Sequence, residues 1–501
     1  MKMKEIKKTK SLCPECLNII EATLYETDDN KVIMEKECKE HGHFSDVVWS
    51  DAEYYHWAEK YAHDGSGVDN PQTTSSTTCP YDCGLCENHL TSTLLANIDI
   101  TNRCNMNCPI CFANAAAAGY VLEPTREEIT NILKNLANEK PVRCWAVQFS
   151  GGEPTVRDDF PDIVREAKRL GFTQIQVATN GKRFIKDEAF AKDLLDAGIN
   201  TVYLQFDGTK EGPYKIARGY NALPEKLKAL DVMRKVGYRS IVLVPTLVKG
   251  ANDDQVGDIV RFAMENNDII KGVNFQPVSF AGRIDKSELE RMRITLPDLG
   301  RLLEEQTNGE IKKEDLYPVP CVSCISEFVA AWKKKPQINL TCHAHCGVAT
   351  YVFSRNGNFI PINRFVDVDG LFNLLDSMKD GIANGNRIAK VKAVTQLTRE
   401  LPKLIDNTKA PPGVNLRNLL LNVLTNGTVG DTAAFHNNTL FLGAMHFMDP
   451  YNFDVSRVQR CGIHYGLPDG RIVPFCSYNS IHRPTFEKEY GIPLSEWKKR
   501  R

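Results

Sequence analysis

The chain has 501 residues, a formal net charge of −1, and apolar and charged fractions of 42% and 25%. That length exceeds one compact core and implies roughly two to four domains, and the near-neutral charge argues against a nucleic-acid-binding surface. No apolar stretch reaches bilayer length and the first residues are too charged for a signal peptide, so a cytoplasmic protein without a transmembrane segment is expected, free to touch a membrane from the side.

Residues 1–60 read as a small β-rich module, with CPEC at 13–16 on a turn and Cys38-Lys-Glu-His41 further on. A polar, turn-forming stretch follows and runs into CPYDCGLC at 79–86, so residues 61–92 read as a linker that carries cysteines. From there a regular alternation begins. Leu95–Ile100 reads as a strand, and Thr125 and Glu128 form a capping box ahead of Ile129, Ile132, Leu133 and Leu136 on one helical face. Further strands are expected at Cys144–Phe149, Gln174–Ala178, Thr201–Phe206, Ser240–Leu247 and Gly272–Pro277. Helical patterns separate them, including one stopped by Gly171 and clear ones at Glu225–Val236 and Asp253–Glu265. Six βα units in series mean parallel strands with right-handed crossovers. Residues 93–312 are therefore expected to form an α/β domain, an open, partial (β/α)6 barrel of the TIM type, with ligands at the strand ends. Beyond residue 313 the rhythm breaks, and 313–501 read as an irregular metal-bearing domain with helical segments at Leu371–Met378 and Leu416–Leu424.

The sixteen cysteines are the informative residues. Most come in short-spaced sets, which suit metal better than disulfides in a reducing compartment. Two sets share the spacing Cys-x3-Cys-x2-Cys: Cys79, Cys83, Cys86 and Cys104, Cys108, Cys111. Three thiolates on a cubane leave one iron for a small molecule. The second set opens the loop after the first barrel strand, where ligands bind; the first set has no strand before it. Cys104, Cys108 and Cys111 are thus the expected substrate-facing triad.

CNMNCPIC in that loop resembles the signature of the radical S-adenosylmethionine (SAM) superfamily, in which the open iron chelates SAM and its reductive cleavage gives a 5′-deoxyadenosyl radical. Other strand ends agree. Ser150-Gly151-Gly152-Glu153-Pro154 resembles the motif that binds the methionine amino group, with small residues allowing close backbone approach and Glu153 offering an acceptor. Asn180 and Asp207 end the third and fourth strands where the superfamily contacts ribose, and Gln276 ends the sixth near the expected adenine. The usual aromatic before the third cysteine is replaced by Ile110, so adenine packing falls to Ile110 or Phe112. Any one of these motifs alone is only a turn; their joint arrival at successive strand ends is the specific signal.

Cys144 reads as a buried apolar thiol. Twelve cysteines remain: Cys13, Cys16, Cys38; Cys79, Cys83, Cys86; and Cys321, Cys324, Cys342, Cys346, Cys461, Cys476. They fill three four-cysteine sites if each N-terminal triplet borrows one from the C-terminal region. Alternatively His41 completes a Cys3His site of zinc or mononuclear iron, and eight of the other nine thiols make two auxiliary [4Fe–4S] clusters. His343 and His345 are expected to support a site or lie at the surface rather than ligate.

The CPxC…CxxHG module, CPYDCGLC, CNMNCPICFA, CHAHCG and CGIHY…PFCSYN together resemble an archaeal family that includes tetraether lipid synthase and relatives described as methyltransferases of a pterin precursor. The resemblance implies carbon–carbon coupling of isoprenoid chain ends in glycerol ether lipids as the first expectation, with pterin C-methylation second. Coupling would need a long apolar site, for which Phe328–Trp332, Leu419–Leu424 and Leu440–Met448 are candidates. Either activity requires an external low-potential electron donor of ferredoxin or flavodoxin type.

Overall fold

The computed structural model describes residues 3–73, 78–116, 119–411 and 439–499. Four strands, β1 (Met3–Leu12), β2 (Ile19–Thr27), β3 (Val32–Cys38) and β4 (Gly42–Trp49), form an antiparallel meander in sequence order. Helix α1 (Ala52–Glu59) follows, its first turn capped by the Asp51 carboxylate, which accepts from the Tyr54 amide at 2.9 Å.

The barrel strands are β5 (Leu95–Thr101), β6 (Ala146–Gly151), β7 (Gln174–Thr179), β8 (Thr201–Gln205), β9 (Ile241–Val244) and β10 (Ile270–Pro277). They lie side by side in this order, all parallel. Between them run α2 (Arg126–Ala137), α3 (Phe160–Arg169), α4 (Glu188–Ala197), α5 (Leu223–Val236) and α6 (Val256–Glu265). Helix α2 starts at the expected capping box: the Thr125 hydroxyl accepts from the Glu128 amide, and Glu128 Oε2 from the Thr125 amide. Strand alternation separates two environments. Ala96, Ile98, Val147, Phe149, Val273 and Phe275 face the helices and are buried, whereas Asn97, Gln148, Tyr203, Gln205, Asn274 and Gln276 point into the barrel.

The second strand begins at Ala146, so Cys144 lies just before it; it is fully buried, and its thiol donates to the Ala146 carbonyl at 3.1 Å. The larger departure concerns residues 313–501. Strand β11 (Gly347–Arg355) pairs antiparallel with β12 (Thr439–Met445), and β12 lies parallel to β10 on one edge of the barrel sheet. Strand β13 (Ile463–Gly466) lies parallel to β5 on the other edge and pairs with β14 (Ile472–Pro474). The C-terminal region thus lengthens the barrel to eight parallel strands, which no periodicity after residue 313 foretold. Leu416–Leu424 falls outside the described residues.

Three regions meet at a buried arginine. Arg293 donates to Asp46 of β4 at 2.6 Å and to Asp449 of the C-terminal region at 2.7 Å, while Asp449 also accepts the Phe280 amide at 2.7 Å. Both carboxylates are buried, so the shared guanidinium keeps either from being left as an unpaired buried charge.

Candidate active site and metal centres

A cavity of about 340 Å³ opens at the C-terminal ends of the barrel strands, and Cys104, Cys108 and Cys111 all line it. The loop that carries them is fixed through its backbone. Cys111 and Arg283 exchange amide–carbonyl bonds at 2.9 Å, Arg283 Nε donates to the Cys108 carbonyl at 2.7 Å, and Arg218 Nη1 to the Ile110 carbonyl at 3.1 Å. The thiols themselves remain available: none is in a disulfide. Burial pushes Cys104 up to about 12 and raises Cys108, against the pull of the Arg218 charge. Three thiols converging on one cavity beside a buried cation fit a thiolate-bound cluster, whose metal charge would offset the burial cost at Cys104 and Cys108.

Gly151, Gly152, Glu153, Asn180, Gln276, Ile110 and Phe112 also line this cavity. Their roles differ from expectation in three places. A Cβ on Gly151 would meet the Thr101 carbonyl oxygen at 2.0 Å, and one on Gly152 the Arg103 oxygen at 2.3 Å. The close approach that glycine permits is therefore to the cysteine loop itself, sealed by Gly152 N to Thr101 O and Glu153 N to Arg103 O, both 2.8 Å. The Glu153 carboxylate turns inward, accepting from the Thr155 and Thr179 hydroxyls and from the Asn180 amide at 2.8 Å. It ties two strand ends together, leaving Oε2 with a single partner. Asp207 is fully buried behind the cavity and forks onto Arg218 at 2.8 and 2.6 Å. Its task is to hold the arginine beside the cysteines, so it is not a ribose contact.

Sequence reasoning missed Arg218, Arg283 and Lys226. Lys226, fully buried on α5, donates to the Asn180 carbonyl at 2.6 Å and to Gln205 Oε1 at 2.9 Å, bracing the third and fourth strand ends. Nothing in spacing marks a lysine on an amphipathic helix as buried.

An aromatic wall also lines the cavity: Phe475 stacks with Phe447 at 4.2 Å, Tyr465 at 5.2 Å and Phe112, which follows Cys111, at 5.3 Å. Deeper in, the lining is polar. Gln148 Nε2 donates to Asn97 Oδ1 at 2.9 Å, while its buried Oε1 has no partner among the described residues. The long apolar channel is not built from the stretches proposed for it. Phe328 packs with Leu371, Leu375 and Leu397 in a separate cluster, and Leu440 and Leu442 lie in the main core. Only Met445 and Phe447 of Leu440–Met448 reach the cavity, and Leu419–Leu424 lies outside the described residues.

Two hairpin turns of the N-terminal meander bring Cys13, Cys16, Cys38 and His41 together, with all ligand atoms within 4.8 Å of one another. Cys16 and Cys38 sulfurs are 3.9 Å apart and Cys38 Sγ is 3.5 Å from His41 Nδ1. A tetrahedral ion with Zn–S near 2.3 Å sets its donors about 3.7 Å apart, so one ion fits. The Glu40 amide and the His41 ring hold the Cys38 thiol down at about 6, which favours the ligating thiolate.

In the C-terminal region Cys342, Cys346, Cys461 and Cys476 gather: burial and then the neighbouring thiols push Cys342, Cys461 and Cys476 up, Cys461 to about 12. Arg457 Nη2 lies 3.6 Å from Cys346 Sγ. Cys321 and Cys324 stand at the start of the helix Ser323–Lys333, and Cys79, Cys83 and Cys86 share a small second cavity. His345 is buried and stacks on Tyr55 at 3.7 Å; His343 is buried beside it.

Residues 98–263 match the radical SAM superfamily, and residues 5–50 match the HMPTM N-terminal zinc ribbon domain. A relative from Methanocaldococcus jannaschii named 7,8-dihydro-6-hydroxymethylpterin dimethyltransferase is 49% identical over 497 residues, covering 98% of this chain and 97% of its own. A GTP 3′,8-cyclase from Clostridium acetobutylicum is 26% identical, over 45% of this chain and 74% of its own. The first relative overturns lipid coupling as the leading expectation, since a match along nearly the whole chain carries the description of the second reading.

Proposed function

Because the chain belongs to the 7,8-dihydro-6-hydroxymethylpterin dimethyltransferase family, within the radical SAM superfamily, we propose that it is a radical SAM C-methyltransferase acting on a pterin precursor. The observation that carries this reading is the relative matched along nearly the whole chain, and the amides and aromatic faces of the cavity agree with it. Asn97, Gln148, Gln205, Asn274 and Gln276 offer amide donors and acceptors, and Phe475 and its neighbours offer flat faces. A pterin is a flat ring edged with hydrogen-bonding nitrogens and an oxygen, and such a lining matches it. A hydrocarbon chain would leave the buried Gln148 Oε1 without a partner, at about 1–3 kcal/mol.

When bound, the [4Fe–4S] cluster and SAM supply one-electron cleavage of the sulfonium and hydrogen abstraction. In this reading the protein holds the cluster through Cys104, Cys108 and Cys111, and Arg218 offsets the thiolate charge. Gly151, Gly152, Asn180 and Gln276 form the SAM side of the cavity, with Ile110 and Phe112 against the adenine. The Gln148–Asn97 pair orients the substrate, and the aromatic wall keeps water from the reacting face. The N-terminal Cys3His set holds zinc or iron, and Cys342, Cys346, Cys461 and Cys476 hold an auxiliary cluster. A low-potential ferredoxin or flavodoxin supplies electrons.

The test is anaerobic incubation of reconstituted protein with SAM, reductant and 7,8-dihydro-6-hydroxymethylpterin. Expected are 5′-deoxyadenosine and methionine from one SAM, S-adenosylhomocysteine from a second SAM that gives up its methyl group, and pterin heavier by one or two methyl groups. SAM cleavage with unaltered pterin in every time point would overturn the substrate assignment.

A further inference from the structure

With Cys342, Cys346, Cys461 and Cys476 taken together, Cys79, Cys83 and Cys86 are the cysteines that line the small second cavity among the described residues. One other donor lines the same cavity. His89 follows Cys86 by three residues, its amide bonds back to the Cys86 carbonyl at 3.0 Å, and it lines the cavity with the three cysteines.

The ring's orientation is fixed from its far side. His89 Nε2 lies 2.8 Å from the Cys461 carbonyl, which can only accept, so Nε2 carries the proton. The same nitrogen lies 3.1 Å from His464 Nε2, and His464 Nδ1 is 2.9 Å from the Thr93 hydroxyl. The Thr93 amide in turn donates to the buried Glu139 carboxylate at 2.6 Å. With Nε2–H committed, the neutral ring has its lone pair on Nδ1, which makes no hydrogen bond among the described residues. A ring N–H pinned on a backbone carbonyl with the other nitrogen free is how proteins present histidine to metal.

We propose that His89 closes the Cys79, Cys83, Cys86 site through Nδ1, giving a Cys3His iron–sulfur cluster with no vacant iron. This rests on the reading of that triad as an auxiliary cluster. Such a cluster binds no substrate at iron, and an imidazole in place of a thiolate raises its potential.

The experiment uses full-length protein prepared anaerobically, with Cys104, Cys108 and Cys111 replaced by alanine to silence the radical SAM cluster. Reduced samples carrying 15N-histidine are studied by electron–nuclear double resonance and redox titration. Expected is a strongly coupled histidine nitrogen that His89→Ala removes, and a midpoint that His89→Cys lowers with the cluster retained. The labelled protein without a His89 change gives the nitrogen signal even if the alanine variant fails to fold. No strongly coupled nitrogen, or one that survives His89→Ala, overturns the assignment. Iron content separates the two levels: if Cys79/Cys83/Cys86→Ala leaves it unchanged, the auxiliary-cluster reading falls as well, whereas a drop in iron without a nitrogen signal removes His89 alone.

Discussion

Two loops of this molecule carry the same Cys-x3-Cys-x2-Cys spacing, and their surroundings set them apart. The loop of Cys104, Cys108 and Cys111 follows β5, faces the open end of the barrel, and has buried Arg218 behind it, held by Asp207. The loop of Cys79, Cys83 and Cys86 sits in a small cavity closed by His89, Val458, Gln459 and Pro474. Spacing fixes how three sulfurs can reach one centre. Whether that centre keeps an open position depends on what the fold places opposite them.

The strongest way to break this comparison is to remove each triad in turn. Cys104/Cys108/Cys111→Ala should abolish 5′-deoxyadenosine formation while the remaining metal stays. Cys79/Cys83/Cys86→Ala should lower iron by about four atoms per chain, the content of one cubane, and leave SAM cleavage measurable. Exchanged outcomes would mean the open site was assigned to the wrong loop. Next in size is Arg218→Gln, which strands the Asp207 carboxylate in the interior and should cost about 3–5 kcal/mol in denaturant unfolding; an unchanged midpoint would show that the pair is not buried as described. Gly152→Ala forces a methyl against the Arg103 carbonyl and should cost about 1–3 kcal/mol. It should weaken SAM cleavage while iron content holds, because the loop shifts but keeps its thiols. The smallest effect on chemistry is expected from Cys16→Ser, which should lose the single N-terminal metal ion and lower the melting temperature, yet leave 5′-deoxyadenosine formation nearly intact in an assay with reductant and SAM alone.

Much of the barrel was legible because its rules are local. The Thr125 capping box, the alternation within Leu95–Ile100 and the turn residues at strand ends each act within a few positions, and the structure has them where expected. The expected SAM contacts other than Asp207 all line one cavity. What spacing could not convey was the direction in which a polar side chain turns. Glu153 lines the cavity while Thr155 and Thr179 engage its carboxylate, and Asp207 is buried behind the cavity on Arg218. The run of eight parallel strands escaped for another reason: the partners of β12 and β13 lie far back in the chain, and no local pattern records a distant pairing. The polar lumen was visible in the same alternation that gave the strands, and weighing it would have spoken against a hydrocarbon substrate. None of the described helices is long and apolar enough to cross a membrane.

The two borrowed strands also govern how the molecule can be made. Ile463 pairs with Leu95, so the sheet's first edge stays bare until a segment about 370 residues further along the chain has been made. Until then β5 exposes an unpaired backbone row flanked by Ala96, Ile98 and Ile100, an invitation to stray strand pairing. Shortened forms ending before Thr439 should accordingly come out as inclusion bodies, and slowing synthesis should not rescue them, because both edge strands lie beyond the cut.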